Sequence, residues 1–578
     1  MKPQNVFRLK FSILLTIVGL LLVFFWRQFW FLTDDAYISF RYVSNSLLGY
    51  GYVWNPPPFR PVEGYTNFLW IVVLDIVWRI FGVIPPESAN YISLIFSYLT
   101  LVIGSCIILQ INWNSALYKY RIFFVGSFLF GVMTNRTFIA WTSSGLETAM
   151  MNFFIILWAY FCIFMKKTHL LWPFSVSFTA SLIALTRPDG LLYVMATVLL
   201  VLLVWFDKMN NINKRWLFAA SPLLLIIFHL GWRLKTYGEW LPNTFYAKQV
   251  AIWPESGIRY AVSFLLEYAL WFWVVPLFLF VFKELLSIRR SKNYPDHVCG
   301  LPLCFISGLC RKTLLIPGIV ILTLIVHASY YTLIVGGDHF EYRPYSFLIP
   351  CIFISFMWFL NKAGGKALQS IIMLLVFIFL SYPVPWTHWA LTHRLTTREE
   401  AFVMRVPVSE RWPKYIRWYA SLFDRVQFWL IEHRVCMRHQ EHKIFYQHIL
   451  NEYPSREEGL LLPGDNFPVH ATYCVGVPGW VLPKVNIIDI GGLNDYVTAR
   501  TPVDKNNFRH MAHDRFPPEG YVECFSPNVI IHSRQAVVLP RKETLTAASI
   551  IECEKKWAEK IKEPDIRSRL SVSRKFVW

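Results

Sequence analysis

Twelve apolar stretches follow one another between residues 11 and 380, and they leave this chain few ways to fold. They fall near residues 11–25, 68–84, 91–111, 122–141, 149–165, 171–185, 191–206, 216–232, 262–282, 314–335, 346–360 and 368–380. Stretches of this kind are read as membrane-crossing helices, because a bilayer core needs about 20 apolar residues to be spanned. Only 16% of the 578 residues are charged and 55% are hydrophobic, against about 25% charged in an ordinary soluble protein. A soluble enzyme and a disordered chain are both excluded. The chain reads as a polytopic α-helical membrane protein.

Charge gives the sidedness. Lys166 and Lys167, Lys208 with Lys214 and Arg215, the cluster from Arg289 to Lys292 with Arg311 and Lys312, and Lys362 with Lys366 fall at alternate helix ends, as cytoplasmic loops do. Lys2, Arg8 and Lys10 precede the first run without a small-residue cleavage site after it, so that run is expected to stay as a first helix. An inside N-terminus and an outside C-terminal region require an odd number of crossings, about eleven. The weakest candidate is 68–84, which carries Asp75 and Arg79 and is barely long enough.

The net charge of +19 follows mainly from this topology: 29 basic against 15 acidic residues up to position 383, and 27 against 22 beyond it. No basic stripe with interleaved aromatic residues marks a nucleic-acid partner. Residues 1–383 form the membrane module. Residues 384–578 are more polar, richer in turn residues and expected to form an extracytoplasmic domain, helical over 411–450 and a small α/β unit from 460 onward, with β-rich runs at 485–490 and 528–531. The cysteines are scattered; Cys474 and Cys524 are a candidate pair in an oxidising compartment. His433, Cys436, His439 and His442 recur every three residues, a spacing that a helix spreads around its surface, so a polar helix face is the plainer reading than zinc. His297, Cys299, Cys304 and Cys310 lack the spacing of a zinc knuckle.

With this sidedness, most acids of the membrane module lie in or beside outer loops: Asp34, Asp35, Glu63, Glu147, Asp189, Glu239, Glu255, Asp338 and Glu341. Orientation does not require this, since acids contribute little to it. The first outer loop, 31–67, is the densest, with Asp34 and Asp35 adjacent at the end of the first helix. Repulsion and partial burial would raise one pKa, or a cation or Arg41 would hold both ionised. Either state suits a base that takes a proton from a hydroxyl; a solvated helix cap is the plain alternative. Further outer pieces, WTSSGLET, TRPDG, YGEWLPNTFYAK and GGDHFEYRP, each place charge beside Gly or Pro. Arg187, Lys248 and Arg343 are cations suited to clamp a phosphate.

The ordered set DDAYISFRY, NP, VEGYTNFLW, GLET, RPDG, LPNTFYAK and GGDHFEYRP, continued by IIDIGGLNDYVTAR and AHDRFPP, resembles the polytopic glycosyltransferases of the GT-C superfamily, most closely the mycobacterial terminal β-arabinofuranosyltransferase B family. The chain departs from that pattern in NPPPFRPVEGY, with three prolines together, and in its cysteine-bearing cytoplasmic loop. The resemblance implies a GT-C fold and transfer of a sugar, arabinofuranose among the candidates, from a polyprenyl-phosphate donor to an envelope glycan or glycolipid at the outer face of a bacterial plasma membrane. Asp34 or Asp35 would be the base, and Arg187, Lys248 and Arg343 would face the donor phosphate. The expected substrate-binding set is Arg41, Glu63, Tyr65, Asn67, Glu147, Asp189, Asn243, Asp338, His339, Asp489, Asp495 and His513. A divalent cation, held by Glu147, Asp189 and Asp338, is a candidate cofactor; no other is implied. A lipid-linked sugar transporter would instead carry charges at mid-membrane depth and repeated halves, and a catalytically silent envelope assembly factor would use the C-terminal domain for protein contacts.

Overall fold

The structure is a computed structural model, and it describes residues 3–208, 214–248, 251–290, 312–397, 408–503, 508–512 and 514–562. His513 and the residues His297, Cys299, Cys304 and Cys310 lie outside the described residues.

The apolar runs form helices, because only a helix satisfies its own backbone where water is absent. Among the described residues, seven helices are long and apolar enough to cross a membrane. They are Asn5–Gln28, Pro85–Gln110, Pro188–Asp207, Arg215–Tyr237, Leu315–Val335, Arg343–Ala363 and Ala367–Thr392. The pair Pro254–Glu267 and Trp271–Lys283, bent by 101°, makes an eighth if counted as one broken span. The expected eleven is reached only if the shorter apolar helices Arg121–Met133, Thr148–Phe164 and Leu171–Thr186 also cross. The doubtful run at 68–84 folds as Phe68–Phe81, a helix of 14 residues, or about 21 Å, short of the roughly 30 Å of a bilayer core. The last candidate span runs past the expected boundary at 383 to Thr392.

The first outer loop contains an element that hydropathy does not announce. Asp34–Leu47 is an amphipathic helix with its residues from Ala36 to Asn45 buried. It packs between Phe68–Phe81 and the short helix Gly476–Val481 of the C-terminal domain, so it acts as the wedge that joins the two parts. Its Tyr42, fully buried, meets Trp54 and Tyr65 edge-on or tilted.

The C-terminal domain is helical first, with Lys414–Glu432 and His439–Glu452, as its sequence suggests. Two small sheets follow: Val469–Thr472 pairs in parallel with Asn486–Asp489, and Val529–His532 pairs antiparallel with Gln535–Val538. Both strands foreseen from β-rich runs are present. The disulfide differs from the expected pair: Cys524 joins Cys553 in the helix Ala547–Lys560, Cα atoms 6.2 Å apart, and Cys474 takes no part in it. Cys553 faces the small core of Phe59, Val469, Phe525 and Trp557, which holds its sulfur beside Cys524.

Candidate active site

Asp34 and Asp35 open the wedge helix. Thr33 caps it, its Oγ1 accepting the N–H of Ala36 at 3.3 Å, while its backbone N–H donates to Ser144 at 3.1 Å. That second bond ties the pair to the GLET segment. The neighbouring carboxylates then part company. Asp34 Oδ1 accepts the N–H of Val477 at 2.8 Å and Oδ2 that of Gly476 at 3.1 Å. Gly476 is glycine because a Cβ there would overlap the backbone oxygen of Asp34. Burial pushes the Asp34 carboxyl up to about 7, against the lowering effect of the Val477 bond and with a further push from the Asp35 charge. Asp35 has no hydrogen bond or ion pair among the described residues; it is half-buried, and Lys248 lies within its electrostatic reach.

Lys248 ends the helix Asn243–Lys248 with its side chain open to solvent, yet enough protein surrounds it that burial lowers its pKa. Asp35 opposes that lowering, Asp338 does the same, and Arg343 and Arg187 add to it. Asp35, Asp338, Arg343 and Arg187 thus all lie within electrostatic reach of Lys248. Arg343 donates to Asp338 through Nε at 2.7 Å and a second nitrogen at 3.3 Å, and its guanidinium sits 4.4 Å from the centre of the Phe340 ring. Arg187 reaches Glu147 at 2.7 Å, Asp189 at 3.2 Å and the Tyr331 hydroxyl at 2.7 Å. Glu147 is steadied on its other oxygen by Asn67 at 3.0 Å, itself bonded to Ser39 of the wedge helix. Asp189 Oδ2 accepts from Tyr331 and contacts His327 Nε2, both at 2.8 Å. The structure thus brings together Asp34, Asp35, Asn67, Glu147, Arg187, Asp189, Lys248, Asp338 and Arg343 from five separate connections. His327 and Tyr331 are polar groups in an otherwise apolar run, and their polarity at that depth is the sequence signal that marks them.

As a site for a divalent cation the group does not fit. Glu147 and Asp189 share Arg187 and Asp338 holds Arg343, and among the described residues no three His, Cys, Asp or Glu side chains are grouped to hold a metal ion. The positive charge there comes from guanidinium and ammonium groups.

Other expected substrate ligands are engaged in joining the parts of the protein. Arg41 is fully buried and donates to the carbonyls of Trp54 at 3.1 Å, Gly479 at 2.8 Å, Leu482 at 2.9 Å and Val485 at 2.8 Å. The wedge helix thus grips helix Gly476–Val481 at both ends, a carboxylate at the N-terminus and a guanidinium at the C-terminus, the arrangement its dipole favours. Arg41 has no face left for a substrate. Glu63 pairs with Arg233 at 2.7 Å, although burial pushes its carboxyl up to about 7, and Tyr65 meets the Tyr237 hydroxyl at 3.1 Å. Asn243 donates to the carbonyls of Gly492, Leu493 and Asp495, each at 3.0 Å. Asp489 accepts the N–H groups of Gly491, Gly492 and Asn494 and shapes that turn, its carboxyl raised to about 6 by burial. Asp495 accepts from Thr498 and the Tyr521 hydroxyl. His339 Nδ1 contacts the Arg434 carbonyl at 2.8 Å, and burial takes its pKa down to about 4. Gly64 of VEGY is required where the loop passes Asn494, whose side chain a Cβ would overlap.

A second charged group lies wholly out of water: Arg136, Glu267, Glu341 and Arg438. Arg438 grips Glu267 at 2.8 and 3.0 Å and approaches Glu341 at 3.3 Å, Arg136 pairs with Glu341, and the Glu341 side chain also accepts the N–H of His439 at 3.2 Å. His439 stacks on Phe29, and His433 on Trp429 with ring centres 3.8 Å apart. The histidines every third residue serve packing between the bundle and the C-terminal domain.

The chain is a multi-pass α-helical membrane protein with a mixed C-terminal domain seated on one end of the bundle and a group of charged side chains near that junction. No family model matches it, and no curated protein does. Among solved structures, it is similar to ArnT from Cupriavidus metallidurans bound to undecaprenyl phosphate, at 9% identity and a TM-score of 0.47, over 82% of this chain and 85% of that one. It is also similar to the arabinosyltransferase EmbB from Mycobacterium smegmatis, at 12% identity and a TM-score of 0.32, over 76% of this chain and 41% of that one.

Proposed function

We propose that the protein is a GT-C-type glycosyltransferase that moves a sugar from a polyprenyl-phosphate donor to a hydroxyl of an envelope glycan or glycolipid, with arabinofuranose the sugar to test first. The observation that carries this reading is a carboxylate with no bonding partner among the described residues, Asp35, within electrostatic reach of the exposed Lys248, which Arg187 and Arg343 also influence. Transfer needs little else. A lipid phosphate is already a good leaving group, so the protein must take a proton and hold the charge that develops as the anomeric bond breaks.

In this reading Asp35 is the base. Both oxygens of Asp34 are occupied by backbone N–H groups, which suits positioning of the helix end. The acceptor oxygen attacks the anomeric carbon as the bond to the phosphate oxygen breaks, with inversion. The proton passes to Asp35, and the polyprenyl phosphate leaves against Lys248 and Arg343. Arg187, anchored by Glu147 and Asp189, adds positive field; the acids leave it partly neutralised, so it contributes less than Lys248. The site faces the exterior of a bacterial plasma membrane. The basic residues at the opposite helix ends support that orientation, as does the Cys524–Cys553 bridge, since such bonds persist in oxidising compartments.

The test is incubation of the purified protein with synthetic polyprenyl-phosphate arabinofuranose and a glycan acceptor. Glycosylated acceptor and free polyprenyl phosphate are expected. Movement of the donor across a vesicle bilayer without transfer would overturn the enzyme reading in favour of a carrier, and failure with arabinofuranose but turnover of another sugar would overturn only the sugar.

A further inference from the structure

The helix Lys414–Glu432 is amphipathic in an unusual way. Its inner face, Ala420, Phe423, Gln427, Leu430 and Ile431, is buried. Phe423 packs on Leu266 and Val384, and the Tyr419 hydroxyl donates to the Leu266 carbonyl while accepting from Trp271 Nε1 at 3.3 Å. Those contacts fix its level. Leu266 lies in the last turn of Pro254–Glu267, Trp271 opens the helix turned 101° from it, and Val384 belongs to the candidate span Ala367–Thr392. The helix therefore rests where one candidate span ends and another bends.

Its outward face is neither polar nor apolar. Tyr415, Trp418 and Phe428 are 72%, 59% and 54% exposed, with Trp412 just before the helix at 54%. Lys414, Trp418, Ser421, Arg425 and Phe428 are spaced four, three, four and three residues apart and so form one stripe. Arg411 and Arg417 add charge, and only Asp424 and Glu432 oppose the four cations between 411 and 432. Several large aromatic side chains together in bulk water mark an interaction surface. Cations among them exclude the hydrocarbon core, whereas the headgroup layer takes both: Trp and Tyr concentrate there, and Lys and Arg are drawn to anionic lipid.

We propose that Lys414–Glu432 lies along the membrane surface and binds phospholipid headgroups with a preference for anionic ones. The inference rests on the candidate spans and on this helix, and it stands or falls independently of the glycosyl transfer. Full-length protein carrying photoreactive p-benzoylphenylalanine in place of Tyr415 or Ser421 would be irradiated in nanodiscs of mixed phosphatidylcholine and phosphatidylglycerol and weighed intact. Phospholipid adducts are expected at both positions, with phosphatidylglycerol enriched about threefold or more over its share of the bilayer. Lys414→Gln, Arg417→Gln and Arg425→Gln together should return the adducts to the bulk ratio. Placement at Ile325, exposed on a candidate span, supplies a lipid-facing control. If Ile325 yields lipid adducts while positions 415 and 421 yield none, or yield cross-links to a second copy, the proposal is overturned. Adducts at the bulk ratio in the unaltered helix would overturn the anionic preference.

Discussion

Two groups of charges, built from the same residue types, stand at the end of the bundle nearest the C-terminal domain, and they behave as opposites. In the sealed group, Arg136, Glu267, Glu341 and Arg438 are at most about 2% exposed and face one another. In the open group, Arg187 keeps 18% and Arg343 11% of its side-chain surface, Lys248 is exposed, and Asp35 is without a bonded partner among the described residues. A buried charge box spends its electrostatics on its own desolvation and serves to join parts of a fold. A group that water can reach, with one carboxylate and one ammonium unbonded among the described residues, keeps more of its charge exposed. Glu341 and Arg343, two residues apart, belong to different groups, so sequence proximity says nothing about which role a charge takes.

Breaking each group should show different losses. In the open group, Asp35→Asn is expected to lower transfer by about 10²- to 10⁴-fold with an unchanged thermal midpoint, measured by turnover of a polyprenyl-phosphate sugar beside a melting curve; activity near the unaltered level would remove Asp35 from the mechanism. In the sealed group, Arg438→Met should leave Glu267 and Glu341 sharing Arg136 alone, one buried negative charge uncompensated, and cost about 3–5 kcal/mol. That loss would be read as a lower melting midpoint and a smaller folded yield, and a variant that melts normally would contradict the sealed description. Arg343→Lys keeps the charge but loses the fork that meets Asp338, so donor binding should weaken roughly tenfold, read as a raised KM for the donor with a smaller change in kcat.

The smallest effect sharpens the contrast between the two neighbouring acids. With its folded pKa raised to about 7, Asp34 binds a proton in the folded protein that the unfolded chain releases down to about pH 4. Stability should therefore fall as pH rises from about 4 to about 7 and level off on either side. Asp34→Asn should flatten the part of the melting profile between about pH 4 and 7 while retaining transfer better than Asp35→Asn. Equal loss of transfer from both variants would end the division of labour between them.

Much of the architecture was legible because apolarity is a property of consecutive residues. Runs that bury their backbone in helices announce themselves, and the lysines and arginines between them mark alternate ends. The gathering of Asp35, Glu147, Arg187, Asp338 and Arg343 followed from that sidedness. What stayed hidden depends on partners far along the chain. Asp34 meets Gly476 across 442 residues and Arg41 meets Val485 across 444, so nothing local tells an anchored carboxylate from an unbonded one, or a clasping arginine from an open one. The wedge helix Asp34–Leu47 escaped notice because its buried face includes Ser39, Arg41, Ser44 and Asn45, which hydropathy counts as polar. Nothing in the sequence separates Cys553 from Cys474 as the partner of Cys524, because pairing is settled by which thiol the core of Trp557 and Phe525 holds near it.

Sequence by itself determined that this protein is a helical membrane protein with charged loops collected at one face, since hydrophobic length and the placement of positive charge act along the chain and require no partner. Only the tertiary structure decided which of those charges are consumed and which remain available. Hydrogen bonds and ion pairs reach only a few ångströms, and the groups that satisfy Asp34, Arg41 and Glu341 arrive from distant segments once the C-terminal domain has seated on the bundle.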